Sequence, residues 1–452
     1  MGFAMWVIVV VAVVAVVNSA STLEAQDEGR MQLFLVSAPS AAALAVVLDS
    51  VDIWRISRLR DGVQAEVLAT EQTMTTLTDQ PGLQAINLGM ERSGTHRGLP
   101  AEPGAVKIEA IPFDPLAELA ASHDRLAVCA HQTRGYLALL DKEDFRSAQA
   151  PYTTSAFFDC WRTTDEIDEF LETLATKHPD IMTRLPKIAT TANGRPIPAY
   201  RLSTNATSSE HRKRAIYLQG IIHAREWQGG SSVVYALVAM LDGLRSSNEA
   251  IRSLTIFSML QIVDMFDWYF VPVLNIDGYE YSFLSPETRL WRKSRRQTTT
   301  DEKTGKVSFG VDLNRNFGPV EYFGLVKAGP SSNTFAGPAA LSEPETAGVF
   351  QWLHTLDVAG VLDFHTFGGQ VLRSPGNSLI GSVLGETYQA ELKQLYVSSG
   401  SLMDAVALKF NDSVALSVEL CGDTFVPHER TIRAVGTHAL RAAMGLAEAL
   451  LD

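Results

Sequence analysis

Gly220-Ile221-Ile222-His223-Ala224-Arg225-Glu226-Trp227 follows an apolar run, Ala215 to Leu218, that reads as a strand, and precedes Ser231 to Leu244, which reads as a helix. His223 and Glu226 therefore fall in the turn at a strand's end. A histidine and a carboxylate three residues apart in a tight turn can aim at one point, and both are good Zn²⁺ ligands. Two ligands do not close a tetrahedron. A third must come from far along the chain, with water in the fourth place if the site is catalytic. His-x-x-Glu alone is more often a surface histidine beside an unrelated glutamate, so the rest of the chain has to decide.

Outward from the turn, helices and strands alternate. Strand candidates are Ala199 to Leu202, Ala215 to Leu218, Trp268 to Val273, Val358 to Phe364 and Val414 to Leu420. Helix candidates are Val233 to Leu244, Glu343 to Leu356 and Thr431 to Leu451. Thr164-Asp165-Glu166 with Ile167, Phe170 and Leu174 reads as a capped amphipathic helix. This alternation predicts an α/β domain with a mostly buried sheet, beginning near Tyr152. Upstream, Met31 to Ser37, Ala41 to Leu48, Ile53 to Ser57, Val63 to Ala69, Glu71 to Thr78 and Leu83 to Leu88 read as βαββαβ, a small ferredoxin-like α+β unit. Glu91 to Gly104 is a Gly- and Pro-containing loop or linker, and Asp114 to Ala121 and Asp141 to Ala150 are helix candidates in the connecting region.

The chain has 452 residues, 46% of them hydrophobic, and a net charge of −13. It is long enough for two or three domains. The acidic balance argues against nucleic acid or an anionic membrane as the main partner. Phe3 to Val17 is almost wholly apolar and is followed by Asn18-Ser19-Ala20, the length and ending of a secretory signal peptide over residues 1–20. The run is short of the roughly 20 residues of a membrane span, so no stable membrane insertion is expected, with an uncleaved anchor as the lesser reading. Secretion would make Asn205-Ala206-Thr207 and Asn411-Asp412-Ser413 glycosylation sites. Cys129, Cys160 and Cys421 are too few for a disulfide scaffold but allow one bridge, whose pairing stays open.

Four later stretches carry chemistry. Leu290-Trp291-Arg292-Lys293-Ser294-Arg295 is a basic cluster, by itself usually a solvated face. Gly310-Val311-Asp312-Leu313-Asn314-Arg315-Asn316-Phe317 places Asn314 beside Arg315, whose planar fork suits a carboxylate. Leu362-Asp363-Phe364-His365-Thr366-Phe367 ends an apolar strand in a histidine, and ligands of open α/β sheets gather at strand ends. Val414 to Leu420 holds Glu419 in an apolar run. If buried, that carboxylate needs a nearby cation or a raised pKa.

Taken together and in this order, these motifs resemble the zinc metallocarboxypeptidases of the carboxypeptidase A type, in secreted zymogen form. The resemblance covers about Tyr152 to the C-terminus. It implies a mixed-sheet α/β/α catalytic domain over 151–452, an inhibitory ferredoxin-like propeptide over 21–90 and a connecting segment with the activation site over 91–150. Residue by residue, His223, Glu226 and His365 match the three ligands of one Zn²⁺ per chain. Glu419 matches the general base that works on the metal's water. Arg292 matches the group that polarises the scissile carbonyl. Asn314 and Arg315 match the pair that binds the substrate's terminal carboxylate. Arg225 matches a residue lining the cleft, and Tyr396 the mobile tyrosine that closes over the substrate. The expected partners are peptides or proteins with a free C-terminus and an activating protease, with Lys142 and Arg146 as plausible cutting sites; the chain is expected to be a monomer.

The position seven residues after Tyr396 is Met403, at the base of the side-chain pocket by the same resemblance. An apolar residue there predicts release of aliphatic or aromatic C-terminal residues, although Asp404 is next to it and a one-residue gap would place Leu402 there instead. Two departures stand out: the chain between His365 and Tyr396 is shorter than the family pattern by roughly one helix, and the stretch from Cys421 to Pro427 is trimmed. Two other readings remain: a non-catalytic secreted binder of peptide C-termini, and a zinc amidohydrolase acting on non-peptide amides.

Overall fold

The computed structural model describes residues 31–38, 51–59, 62–70, 73–74, 85–87, 106–110, 115–142, 150–204, 213–245, 262–300, 305, 307–318, 323, 328–373, 391–392, 399–410 and 412–451. The chain divides into two compact units, Met1–Pro115 and Leu116–Asp452.

The first unit holds a sheet of β1 (Met31–Ala38), β2 (Asp52–Leu59), β3 (Gly62–Thr70), β4 (Ala85–Asn87) and β5 (Val106–Ala110), in the order β2-β3-β1-β5-β4. β3 is slotted between β1 and β2, and β1 between β3 and β5, with antiparallel pairing at each contact. That is the strand order of a ferredoxin-like unit. Its fourth strand is Val106–Ala110, from the stretch read as connector, and not Leu83 to Leu88. Ala85–Asn87 is an extra edge strand, parallel to β5. The register aligns Val36 with Ile108 and Phe34 with Val67, and all four are buried. The helix candidate Ala41 to Leu48 and most of Glu71 to Thr78 lie outside the described residues, as do the signal-peptide stretch, Asn205 and Asn411.

The second unit opens with α1 (Pro115–Thr133), which runs well past the expected end at Ala121. Its inward stripe is Leu119, Ser122, Leu126 and Cys129, at helical spacing. Serine and cysteine dilute the apolar signal, which is why the sequence understates the helix. Cys129 forms a disulfide with Cys160, with the Cα atoms 5.7 Å apart, within the range a bridge needs. Cys421 is exposed. Most of the expected helix Asp141 to Ala150 lies outside the described residues.

The second unit is built on an eight-stranded sheet. Its strands are β6 (Met182–Thr190), β7 (Pro196–Leu202), β8 (Arg214–Gly220), β9 (Phe266–Val271), β12 (Val358–Thr366), β13 (Gln370–Arg373), β14 (Glu391–Leu392) and β15 (Val414–Leu420), in the order β14-β13-β15-β12-β8-β9-β7-β6. A separate ribbon pairs β10 (Gln297–Thr300) with β11 (Val307–Phe309). β15, β12, β8 and β9 run parallel, while β13, β7 and β6 pair antiparallel. The sheet is therefore mixed. The parallel strands are apolar and buried along nearly their whole length, as strands covered on both faces must be.

After α1 and a single turn at Tyr136–Leu139, the longer helices described in this unit are α2 (Thr164–Lys177), α3 (Trp227–Arg245), α4 (Ile276–Ser282), α5 (Pro344–Leu353), α6 (Leu402–Lys409) and α7 (Ile432–Ala449). α2 starts at a full capping box between Thr163 and Glu166. α3 and α7 pack together so closely that a Cβ on Gly436 would lie 2.5 Å from the Tyr235 Cβ. A Cβ on Gly360 would lie 2.8 Å from Leu446 of α7, so that face of β12 looks onto α7. Val361, on the opposite face, is level with Tyr217, whose ring meets Trp352 of α5. Helices thus cover both faces of the sheet, and Asp363 and His365 share the Val361 face.

Among the described residues, Glu345 is a buried carboxylate without full compensation. Glu345, in the first turn of α5, accepts a hydrogen bond from the Ala192 N–H at 2.9 Å. Its other oxygen is buried with no partner among the described residues. Burial pushes its carboxyl up to about 7, assisted by Glu343 and Asp277. A raised carboxyl stabilises the fold while protonated, so its contribution is full below the unfolded value near 4.5 and is lost as pH rises through about 7. Glu345→Gln should leave the melting temperature at pH 4.5 nearly unchanged and raise it at pH 8, by the equivalent of a few kcal/mol. A parallel melting curve across that range for both proteins would refute this.

Candidate metal centre and active site

Strand β8 ends at Gly220, and α3 begins at Trp227, four residues before the expected start. Gly229 and Gly230 lie in its first turn, where glycine is a poor helix former. In the fold they are needed: a Cβ on Gly220 would come within 2.8 Å of the Gly229 backbone, and one on Gly229 within 2.7 Å of the Phe364 carbonyl oxygen. This close approach leaves only Ile221–Glu226 for the turn. Ile221 sits at φ +49°, a costly conformation for a β-branched residue. Hydrogen bonds hold it there: the Leu274 N–H donates to Gly220 O at 3.2 Å, and the Asn275 N–H to Ile221 O at 3.0 Å.

The turn aims His223 and Glu226 at His365 on β12, and all three are buried. His223 Nδ1 lies 2.8 Å from Glu226 Oε1, His365 Nδ1 lies 3.0 Å from Glu226 Oε2, and the two Nδ1 atoms are 3.2 Å apart. One ligand atom from each residue can be chosen so that all lie within 4.8 Å of one another. Zinc–ligand distances of about 2.0–2.2 Å in a tetrahedral set place ligand atoms about 3.3 Å apart, close to this spacing. Two ring nitrogens facing each other across 3.2 Å share at most one proton, whereas a cation at the common point satisfies all three residues. The donor set therefore fits zinc.

The far sides of the rings fit too. His223 Nε2 is 3.2 Å from Asp312 Oδ1, and His365 Nε2 is 2.8 Å from Asp363 Oδ2. With each Nε2–H donating to a carboxylate, each Nδ1 keeps its lone pair for the metal. Burial opposes charge on His365, but Asp363 and Glu226 outweigh it and hold its pKa well above the ordinary value. Burial raises Asp312, but Arg292, Arg315 and His223 overcome it and hold its carboxyl well below the usual range.

The other expected residues fall as follows. Glu419 is level with His365 on the neighbouring parallel strand β15, half-buried. Burial pushes its carboxyl up to about 7, with His365 and Arg292 pulling down and Glu226 and Asp363 adding to the rise. Arg292 donates to Asp312 Oδ2 from Nη2 at 2.9 Å and from Nε at 3.2 Å, with Nη1 3.7 Å from Glu226. Asn314 lies against the centre: its Oδ1 accepts from the Leu402 N–H at 3.2 Å and its Nδ2 is 3.2 Å from His365 Nε2. Arg315 is buried and donates to the Asn314 carbonyl at 2.9 Å. Arg225 is buried with its guanidinium 4.1 Å from the Phe425 ring centre. Met403 is half-buried on α6 against the hydrophobic core, while Asp404 is tied into a capping box with Ser401. Tyr396 lies outside the described residues, as does most of the shortened stretch before it.

Asp312 and Asp363 escape a motif reading, although each lies inside a quoted stretch. Their signal is positional: Asp363 is two residues from His365 on a strand, hence on its face, and Asp312 opens the short turn Leu313–Arg315.

Fold and donor set together describe a mixed α/β sheet domain whose strand ends carry a group that could hold a metal ion. Residues 167–382 match the family model described as zinc carboxypeptidase, which marks a zinc carboxypeptidase domain within this chain. A carboxypeptidase B from Helicoverpa zea is 33% identical over 232 residues, covering 50% of this chain and 50% of that protein. A protein of Arthroderma otae named inactive metallocarboxypeptidase ECM14 is 33% identical over 208 residues, covering 43% of this chain and 32% of that protein. The chain is thus matched to half or less of the length of these curated relatives. Among solved structures, carboxypeptidase A from Helicoverpa armigera superposes with a TM-score of 0.71 at 22% identity, over 94% of this chain and 98% of that one. Thrombin activatable fibrinolysis inhibitor superposes with a TM-score of 0.65 at 16% identity, over 93% and 99%. These likenesses show the carboxypeptidase A fold.

The purified chain should take up one zinc ion, and His365→Ala or Glu226→Gln should reduce that to near zero. Zinc at 100 times its Kd should stabilise the unmutated protein by about 2.7 kcal/mol. Equal thermal shifts in the variants would show that zinc binds elsewhere.

Proposed function

We propose that this chain is a secreted zinc-dependent carboxypeptidase, made as a zymogen, that hydrolyses the last peptide bond of peptides and proteins. The observation that carries the reading is the convergence of His223, Glu226 and His365 with Glu419 level with His365 on the adjacent strand. His223, Glu226 and His365 would hold the zinc, which would supply Lewis acidity beside the scissile carbonyl and the attacking water. Glu419 accepts a proton from the attacking water and passes it to the leaving amine. Arg292 faces the charge that develops on the carbonyl oxygen. Arg315 reads the substrate's free carboxylate and fixes which bond is cut. Apolar C-terminal residues are preferred: Met403 is apolar, and the Asp404 carboxylate is occupied in its capping box. Secretion is supported by the apolar stretch from Phe3 to Val17 and by the Cys129–Cys160 disulfide.

Some relatives are named inactive, which favours a second reading, a binder of peptide C-termini without turnover. The retained Glu419 and Arg292 speak for catalysis. A blocked dipeptide ending in Phe, offered to trypsin-treated protein, separates the two. Hydrolysis should appear on cutting, vanish with a chelator, exceed that of a Lys-ended substrate, and fail on an amidated C-terminus. Glu419→Gln should lower kcat by about 10²- to 10⁴-fold while zinc content stays at one. Cut, zinc-loaded protein that binds the substrate without hydrolysing it would establish the binder instead.

Activation has a covalent consequence. A cut near Lys142 or Arg146 lies between Cys129 and Cys160. The N-terminal piece should therefore stay attached on a non-reducing gel and separate only with reductant. Separation without reductant would contradict the bridge.

A further inference from the structure

The two histidines of the centre are backed by two carboxylates in unlike company. Asp312 shares its charge with the Arg292 guanidinium, which donates to it twice. Among the described residues no arginine or lysine pairs with Asp363. Its Oδ1 accepts from Gln219 Nε2 at 2.9 Å, and its Oδ2 faces His365 Nε2 at 2.8 Å. Gln219 Oε1 in turn accepts from the Tyr217 hydroxyl at 2.8 Å. Register explains the row: Gln219 is level with Asp363 and Tyr217 with Val361, so Tyr217, Gln219, Asp363 and His365 project from one face of two neighbouring parallel strands. Tyr217 and Gln219 are fully buried, and Asp363 and His365 are 1% and 2% exposed.

From this row we infer that Asp363, held in place by Gln219 and Tyr217, is the positioning residue that fixes His365 as an Nδ1 ligand and strengthens it. The inference rests on the zinc reading above but adds a role that the ligand set does not specify. Asn314 does not substitute for Asp363. Its Oδ1 is taken by the Leu402 N–H, so the group it turns toward His365 Nε2 is a donor. Asp363 is the acceptor in reach of the Nε2–H. The Gln219 amide is locked because the Tyr217 hydroxyl supplies its oxygen with a proton, which leaves its nitrogen to face Asp363. A carboxylate held only by neutral groups directs its charge onto the imidazole, which makes Nδ1 a better donor to a cation. Asp312, neutralised in part by Arg292, polarises His223 less.

The test is zinc affinity, measured by competition with a chelator, in the full chain. Asp363→Asn keeps the shape and the contact with Gln219. It turns an amide donor toward Nε2 and so favours a proton on Nδ1, the ligand atom. Affinity should fall about 10- to 100-fold, and further than in Asp312→Asn. Unchanged affinity in Asp363→Asn, or an equal or larger loss in Asp312→Asn, overturns the inference while leaving the proposed function standing. An unmutated chain that takes up no zinc overturns both. A second measurement needs no variant. In ¹⁵N-edited spectra of the zinc-loaded protein, the His365 Nε2 proton should lie far downfield and exchange slowly. A proton that exchanges freely with water would overturn the role of Asp363 by itself.

Discussion

Strand β12 runs between two parallel neighbours, and the register on its two sides places His365, Asp363, Glu419 and the start of the turn that carries His223 and Glu226. On one side Phe364 is level with Gly220, where β8 gives way to the ligand-bearing turn; on the other His365 is level with Glu419. A slip of one residue would turn His365 and Asp363 toward α7 and bury them among leucines. The apolar residues of β12 oppose that slip, since Leu362 and Phe364 are fully buried on the α7 face. Packing of an ordinary core thus fixes the position of the metal ligands. The glycine contacts at the end of β8 complete the arrangement by holding the start of α3 against the sheet.

Burial on both faces carries a second constraint. Polar side chains on a covered strand have no water to turn to, so they must satisfy one another. Tyr217, Gln219, Asp363 and His365 do so in a row, and Asp312 does so with His223 and Arg292. A network of this kind leaves each member one orientation, because reversing one amide or one ring strands a donor or acceptor elsewhere. Rigid ligands are the result.

Much of this was legible in the chain. The turn His223 to Glu226, the strand-borne His365 and Glu419, and the alternation of strands and helices follow from local pattern, and the structure brings the three ligands together. Less legible were features that depend on a distant partner. The start of α3 was hidden because glycine is a poor helix former, and Gly229 and Gly230 are explained only by the close approach of β8 and β12. α1 was underestimated because its inward stripe includes Ser122 and Cys129, whose burial and bridge belong to tertiary contacts. Val106–Ala110 escaped because a five-residue strand after a Gly- and Pro-containing loop carries little periodicity of its own; its pairing with β1 defines it. Asp312 and Asp363 lacked any motif, since a supporting carboxylate needs only to lie within reach of an imidazole nitrogen.

The charges of the centre explain why a dication belongs there. Glu226, Asp312, Asp363 and Glu419 bring four negative charges to one buried region, and Arg292 and Arg315 interact with them as two positive ones. With neutral imidazoles an excess of two negative charges is left. A buried excess of this size is costly, and ionisable groups relieve it by taking up protons. The raised values of His365 and Glu419 are that response. A divalent cation cancels the same excess while leaving the imidazoles neutral, the state in which they bind metal. The four carboxylates therefore act as a set. Removing any one of them alters the charge that the cation must meet, even where no bond to the metal is lost.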